Sequence, residues 1–208
     1  MFSKLIKNIS FAAIMAAGLI GTLATTEAGS FKKATYAAIG PSTSVPYGWA
    51  DFCKRYKGEC NTERLSALDV NLTTSALREI ERINTWVNTN IEPVSDMEHW
   101  GVQDQWDYPT DGKGDCEDYV LLKRKLLMDL GFPRQALLVT VVKDEKNEGH
   151  AVLTIKTNKG EFALDNQEAK VLPWNQTGYR FVKRQSQEDP NVWVQLGQPQ
   201  EATSTARF

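Results

Sequence analysis

Apolar residues recur at helical spacing in two segments of the chain. In the first, Thr73 or Thr74 caps a predicted helix that runs to about Asn90, and Pro93 ends the pattern. Its apolar stripe consists of Leu77, Ile80, Ile83, Val87 and Ile91. The second predicted helix begins near Cys116, and Gly131 and Pro133 stop it. Its stripe consists of Tyr119, Leu122, Leu126 and Leu130, widened by Val120 and Leu127, and it leaves Lys123, Arg124, Lys125 and Asp129 outside.

The second half of the chain shows the shorter periodicity of strands. Strands are predicted at 136–142, 150–157, 161–165, 179–184 and 192–196, and a further short strand at 65–72. A tight turn at 158–160 joins the second and third of these into an antiparallel hairpin. The segment between residues 92 and 114 has no periodicity, and loops of this length are often functional in compact domains.

The first 28 residues show the pattern of a secretory signal peptide. Lys4 and Lys7 precede an apolar run at 9–24, and Thr26-Glu27-Ala28 forms a small-residue cleavage site. An uncleaved membrane anchor is the alternative, although Ser and Gly interrupt the run. No second run of that length follows, so we expect a periplasmic protein without membrane insertion of the mature chain. A flexible arm is expected at 29–45, one domain at 46–196 and a polar tail at 197–208.

Composition and charge limit the classes of function. The 208 residues, 41% of them apolar and six of them Trp, are enough for one well-packed domain. The formal net charge of −2 comes without a concentrated basic face, so nothing favours a nucleic acid as partner.

The three cysteines form an odd set, which is informative in an exported chain. Cys53 and Cys60 are close enough in sequence to form a small disulfide loop in an oxidising compartment, which leaves Cys116 unpaired. The alternative is that Cys116 is a buried and inert cysteine, but its flanks are acidic. Asp115 is a natural N-cap, so Cys116 falls in the first helical turn, where the positive end of the helix dipole favours a thiolate. A thiolate there is a candidate nucleophile for attack on a carbonyl.

A cysteine nucleophile needs a base, and the chain has two histidines. We favour His150, at the start of a predicted strand, over His99, which lies in the irregular segment. Asp165 is the candidate that orients the imidazole, since a two-residue hairpin loop would place it opposite Val152 on the face of His150. Asn166 is the second candidate, and a simple strand-end turn is the alternative for both residues.

The oxyanion of the intermediate needs hydrogen-bond donors. The backbone N–H of Cys116 is one candidate, and a second donor would come from Gln103, Gln105 or the region of Trp106, which is equally a candidate for packing.

Three carboxylates surround the thiol in the sequence. Asp115, Glu117 and Asp118 would raise the thiol pKa, so either they point away or a cation offsets them. Calcium suits such oxygen ligands. The alternative is that they are ordinary partners of the helix dipole, since their spacing is not that of an EF-hand loop.

These motifs together resemble a known family. Trp106 precedes Gly114-Asp115-Cys116-Glu117-Asp118, and the segments Gly149-His150-Ala151-Val152-Leu153 and Leu164-Asp165-Asn166 follow in that order. Over roughly residues 46–196 the chain resembles the bacterial transglutaminase-like cysteine peptidases, which include periplasmic proteases that release large adhesins from the cell surface. The resemblance implies an α+β fold of the papain-like or transglutaminase-like type, with a nucleophile helix packed on an antiparallel sheet. It also implies a triad of Cys116, His150 and Asp165.

The same resemblance implies a cofactor and partners. The adhesin-releasing members depend on calcium through acidic residues that flank the cysteine, which correspond to Asp115 and Glu117. A surface adhesin as protein substrate and an inner-membrane regulatory receptor are further expectations. The loop between Cys53 and Cys60 is not part of the motif of those members.

The leading hypothesis is an exported cysteine endopeptidase that cleaves envelope or surface proteins through a thioester acyl-enzyme. A transglutaminase or glutamine deamidase would use the same triad, because the chemistry is shared up to the acyl-enzyme. An inactive peptide-binding module is the alternative from a different class.

Overall fold

The computed structural model describes residues 35–60 and 63–200. The strands within them are Tyr36–Thr43 (β1), Glu92–Pro93 (β2), Lys113–Gly114 (β3), Leu137–Lys143 (β4), Gly149–Thr157 (β5), Gly160–Leu164 (β6), Leu172–Pro173 (β7), Arg180–Gln185 (β8) and Trp193–Gln200 (β9). Seven of them form one antiparallel sheet in the order β1-β9-β8-β4-β5-β6-β7, while β2 and β3 form a short parallel pair. The strands predicted from residue 136 onward are thereby confirmed.

The helices are Tyr47–Arg55 (α1), Lys57–Cys60 (α2), Thr74–Asn90 (α3), Asp96–His99 (α4) and Cys116–Asp129 (α5), with 3-10 turns at Arg134–Ala136 and Trp174–Gln176. The side chain of Thr73 caps α3 by accepting a hydrogen bond from the N–H of Ala76 at 3.1 Å. Gly131 follows α5 with φ of 90°, a conformation that glycine adopts without strain. Both predicted helices are confirmed, and none of the described helices is long and apolar enough to cross a membrane.

The two faces of the large sheet pack differently. On one face, α3 and α5 cover the main core, and α5 packs directly against β5. On the other face, a smaller apolar cluster gathers around Val152, Trp174 and Phe181. Side chains alternate along β5, so Ala151 and Leu153 point into the main core, whereas His150 and Val152 share the second face.

The expectation of a flexible arm is wrong for residues 36–43, because they form the edge strand β1 paired with β9. The pairing shifts register on both sides of Ile39, and such irregular edge positions tolerate the Pro41 that had suggested a loop. The backbone N–H of Ala37 also donates to Glu161, which forms a buried ion pair with Arg184 at 2.8 Å. The strand β9 likewise extends to Gln200, beyond the predicted start of the tail. The predicted signal peptide lies outside the described residues.

Two other expectations need correction. Residues 65–72 form no strand, and only Val70 makes an isolated bridge, to Thr157. Lys123 and Arg124 were expected outside the buried stripe of α5, yet both are buried. The reason is that α5 is covered on more than one side, since Arg124 lies over the Trp49 ring of α1 and donates to the carbonyl of Leu137.

A disulfide joins Cys53 to Cys60, as predicted, and leaves Cys116 as a free cysteine. The bridge connects α1 to α2, and the side chain of Asn191 donates to the carbonyl of Cys60 at 2.8 Å. The disulfide thus contributes to holding the end of α1 near the turn before β9.

Candidate active site

The unpaired Cys116 is the first residue of α5 and is half-buried. Asp115 occupies the N-cap position, but its side chain does not cap the helix; it accepts a hydrogen bond from the N–H of Asp96 at 3.3 Å instead. Gly114 is required before it, because a Cβ at that position would lie 2.5 Å from the Asp118 carboxylate. The glycine therefore lets the first turn of α5 approach the chain that leads into it.

The thiol of Cys116 donates a hydrogen bond to Glu117 Oε2 at 2.8 Å. Burial raises the pKa of the Cys116 thiol well above its usual value, and the carboxylates of Glu117 and Asp115 raise it further. In this arrangement, burial and the neighbouring carboxylates oppose the effect of the helix dipole, which by itself would favour the thiolate predicted at the helix terminus. The side chains of Asp115 and Glu117 therefore do not point away from the thiol, whereas Asp118 accepts a hydrogen bond from the N–H of Asp107 at 2.6 Å.

The sulfur of Cys116 lies next to the strand that carries His150. The backbone N–H of Ala151, the residue after His150, donates a hydrogen bond toward the sulfur and opposes the rise in its pKa. Because α5 packs against β5, the helix terminus meets the beginning of this strand. The structure therefore brings together the cysteine and the strand segment that were predicted to form one site.

His150 and Asp165 form a buried pair, with Nε2 and Oδ1 at 2.8 Å. The hairpin loop consists of Asn158 and Lys159, and Leu153 pairs with Leu164, so Asp165 follows opposite Val152 on the face predicted for it. Burial acts to raise the pKa of Asp165, but hydrogen bonds from His150, Tyr179 and the backbone of Gln167 outweigh it and lower the pKa. The side chain thus presents a carboxylate to the imidazole.

The other histidine has a different environment. His99 contacts Asp111 at 2.8 Å through Nε2, and its ring stacks on Trp100. The structure thus pairs the two histidines with different carboxylates, and it gives His150 the partner predicted for a catalytic base.

The residues considered as second oxyanion donors are engaged elsewhere or exposed. Trp106 is buried against Trp49 and Trp193, and its indole N–H donates to Asp104 at 2.8 Å. The side chain of Gln105 donates to Asp107 at 3.0 Å, and Gln103 is exposed. Trp106 therefore acts as a packing residue beneath the site.

A cluster of carboxylates surrounds the thiol. Its side chains form three overlapping groups whose ligand atoms lie close together. The groups are Asp115 with Cys116 and Glu117, Asp96 with Asp104 and Glu117, and Asp96 with Asp115 and Asp118. Burial, followed by the charge of Asp115, raises the pKa of Glu117 to about 9. Burial also raises the pKa of Asp118 to about 8, although the backbone N–H of Asp107 opposes the shift.

The donor set fits a calcium ion. Asp96, Asp104, Asp115, Glu117 and Asp118 offer carboxylate oxygens, which are the ligands that calcium prefers, and Asp115 Oδ1 is buried without a hydrogen-bond partner among the described residues. The sequence had suggested Asp115 and Glu117; it did not suggest Asp96 or Asp104, which come from the segment without periodicity. The only available signal was the number of acidic residues in that segment.

Two further residues near the His150–Asp165 pair were not singled out as site residues by the sequence. Tyr179 donates its hydroxyl to Asp165 Oδ2 at 2.6 Å. Lys123, two turns along α5 from Cys116, is fully buried, and its Nζ has no hydrogen-bond partner within residues 35–60 and 63–200. Burial lowers the pKa of Lys123 to about 7, against the opposing charge of Asp165.

A free cysteine at the tip of a helix, packed on an antiparallel sheet that presents a His–Asp pair, defines a transglutaminase-like cysteine peptidase. The chain belongs to the family described as bacterial transglutaminase-like cysteine proteinase BTLCP, whose model matches residues 39–201. No curated protein matches the sequence.

Solved structures of LapG from Legionella pneumophila are similar in fold. The calcium-bound form has a TM-score of 0.50 and 23% identity, over 63% of this chain and 74% of that chain. The EGTA-treated form covers the same shares at 23% identity with a TM-score of 0.48. A third structure of LapG has 25% identity and a TM-score of 0.48, over 57% of this chain and 68% of that chain.

Proposed function

We propose that this chain is an exported cysteine endopeptidase that cleaves envelope or surface proteins, with Cys116 as nucleophile, His150 as general base and acid, and Asp165 as the residue that orients the imidazole. The observation that carries the proposal is the buried hydrogen bond between His150 and Asp165. The backbone N–H of Ala151, the residue after His150 on β5, donates toward the sulfur of Cys116. Family membership supports the peptidase chemistry.

The first half of the reaction forms a thioester. Cys116 transfers its proton to His150, and the sulfur attacks the carbonyl carbon of the scissile bond. The imidazolium, stabilised by the carboxylate of Asp165, then gives its proton to the departing amine. In the second half, His150 removes a proton from water, the hydroxide attacks the thioester, and the imidazolium returns the proton to the sulfur as the carboxylic acid product leaves. A primary amine in place of water would give transamidation, so the nature of the acceptor separates the two enzyme hypotheses.

We further propose that calcium is held by Asp115 and Glu117, together with Asp96 and Asp104. The orphaned oxygen of Asp115 and the exclusively carboxylate donors support this assignment. Bound calcium supplies positive charge that offsets the carboxylates beside the thiol and so favours its ionisation. LapG, a structural neighbour, was solved both calcium-bound and EGTA-treated. A surface adhesin as substrate, an inner-membrane receptor as regulator and a periplasmic location complete the proposal.

The experiment compares the mature protein with a Cys116→Ala variant on bacterial envelope proteins, in calcium and in EGTA. New protein N-termini that appear only with the intact cysteine support proteolysis. Incorporation of an amine probe without new N-termini would assign the chain to the transglutaminases instead. Equal cleavage in calcium and EGTA would remove the calcium proposal and leave the triad in place.

A further inference from the structure

The carboxylate of Asp165 is held at both oxygens. Oδ1 interacts with His150 Nε2 at 2.8 Å and accepts a hydrogen bond from the N–H of Gln167 at 3.0 Å. Oδ2 accepts from the hydroxyl of Tyr179 at 2.6 Å. Since the backbone contact and the histidine share one oxygen, Tyr179 is the side chain that fixes the rotation of the carboxylate from its other end.

Tyr179 also contacts the histidine itself. Its ring centroid lies 5.4 Å from that of His150, and the ring planes are tilted by 60°. One side chain therefore packs on the imidazole and hydrogen-bonds to the carboxylate that orients it. Removing the phenol oxygen would leave the ring contact and delete only the hydrogen bond.

The local chain is shaped to present this side chain. Thr177 Oγ1 accepts from the N–H of Tyr179 at 3.3 Å and donates to the carbonyl of Trp174 at 2.9 Å. Gly178 has φ of 78°, a left-handed conformation that favours glycine, directly before Tyr179. The turn between Trp174–Gln176 and β8 thus sets where the phenol points.

We propose that Tyr179 is a positioning residue for the His150–Asp165 pair, which it holds in register through its hydrogen bond to Asp165 Oδ2. This inference rests on the proposed function. The hydroxyl spreads the negative charge of the carboxylate over three donors. Without it, the carboxylate is neutralised by fewer donors, attracts the imidazolium more strongly and so makes His150 release its proton less readily.

Several charged and titratable groups lie around the His150–Asp165 pair, and the test must separate the effect of Tyr179 from theirs. Asp165 and Tyr179 contact His150 directly. The sulfur of Cys116 lies near the backbone N–H of Ala151, and Lys123 on α5 interacts electrostatically with Asp165. A Tyr179→Phe substitution keeps the ring and changes none of the other three.

The matched control is Tyr36→Phe. The Tyr36 hydroxyl donates to the carbonyl of Thr157 at 2.7 Å, so this variant also deletes one phenol hydrogen bond from the same sheet. The chain has two histidines, and His99 serves as an internal reference because it pairs with Asp111.

The experiment titrates both imidazole rings by NMR in the wild-type protein and the two variants, and measures peptide cleavage beside it. Tyr179→Phe is expected to raise the measured pKa of His150 by about 0.5–1 unit and to lower kcat/KM by about 10- to 100-fold. The titration of His99 should be the same in all three proteins, and Tyr36→Phe should leave both the titration of His150 and kcat/KM unchanged.

A double-mutant cycle with Asp165→Asn provides the second measurement, with the rate of Cys116 alkylation by iodoacetamide as readout. The effect of Tyr179→Phe should disappear once Asp165 is an amide, because the phenol acts through the carboxylate. An unchanged His150 pKa, or additive effects in the cycle, would overturn the inference. If no peptide is cleaved even by the wild-type protein, the proposed function fails, while the titration and the alkylation cycle still decide the role of Tyr179.

Discussion

Replacing the buried Lys123 with methionine should stabilise the protein. The side chain is 0% exposed, and its ammonium has no hydrogen-bond partner in the part of the chain that the structure describes. Burial lowers its pKa to about 7, whereas an unfolded chain has an ordinary lysine pKa of about 10.4. The folded state therefore binds fewer protons than the unfolded state between these two values. Stability is penalised at low pH and recovers as the pH rises through this window.

The magnitude follows from the difference between the two pKa values. At about pH 7 the penalty is about 4 kcal/mol, and by about pH 9 it has fallen by about 2 kcal/mol. Methionine fills a similar volume and carries no charge. We expect Lys123→Met to raise the free energy of unfolding by about 1–4 kcal/mol at neutral pH, in line with the replacement of buried charges by apolar residues. The advantage should shrink by about 2 kcal/mol at about pH 9.

The assay is urea denaturation followed by Trp fluorescence, at both pH values, for the wild-type protein, Lys123→Met and a control. Lys125→Met is the matched control, since Lys125 lies on the same helix but is exposed and forms a surface ion pair with Asp129. Its effect should stay within about 0.5 kcal/mol at either pH. A Lys123→Met variant that is less stable than the wild-type protein, or whose advantage is the same at both pH values, would refute the description of Lys123 as a buried and destabilising charge.

Three further predictions concern the site and the sheet. His150→Ala should abolish cleavage by the mature enzyme, while His99→Ala should keep activity within a few-fold; the opposite pattern in a cleavage assay would exchange their roles. EGTA should reduce cleavage in the wild-type protein, and Asp104→Asn should need more calcium for half-maximal activity; identical calcium titrations would remove Asp104 from the ligand set. Glu161→Ala should lower the free energy of unfolding by about 3–5 kcal/mol in urea, because it leaves the buried Arg184 uncompensated; a loss below about 1 kcal/mol would contradict this.

The elements with strong periodicity were predictable from the sequence. The apolar stripe of α3 and its cap at Thr73 are local signals, and so is the glycine that ends α5. The hairpin register followed from the length of the turn at Asn158 and Lys159, and this register also placed Asp165 opposite Val152. Such elements can be predicted because residues that are close in sequence determine them.

The remaining features depend on contacts between distant parts of the chain. The strand β1 contains Gly40 and Pro41, which locally indicate a loop, and it forms because β9 and the buried Glu161 supply partners. Asp96 and Tyr179 belong to segments whose course is set by packing, so no spacing in the sequence connects them with Cys116 or Asp165. Lys123 lies outside the apolar stripe of α5, so the pattern predicts an exposed side chain. It is buried because α5 is covered on more than one side.

The pairing of the first strand with the last has a consequence for biosynthesis. Tyr36 of β1 lies opposite Gln200 of β9. Trp193 of β9 packs on the ring of Trp106, which follows Asp104 of the acidic cluster by two residues in the sequence. A nascent chain that emerges in sequence order lacks both the partner of β1 and the contact of Trp193 with Trp106 until β9 has been released. Closure of such a distant pair is entropically costly and slow. The large sheet and the aromatic contact next to the acidic cluster are therefore completed only after β9 has been synthesised.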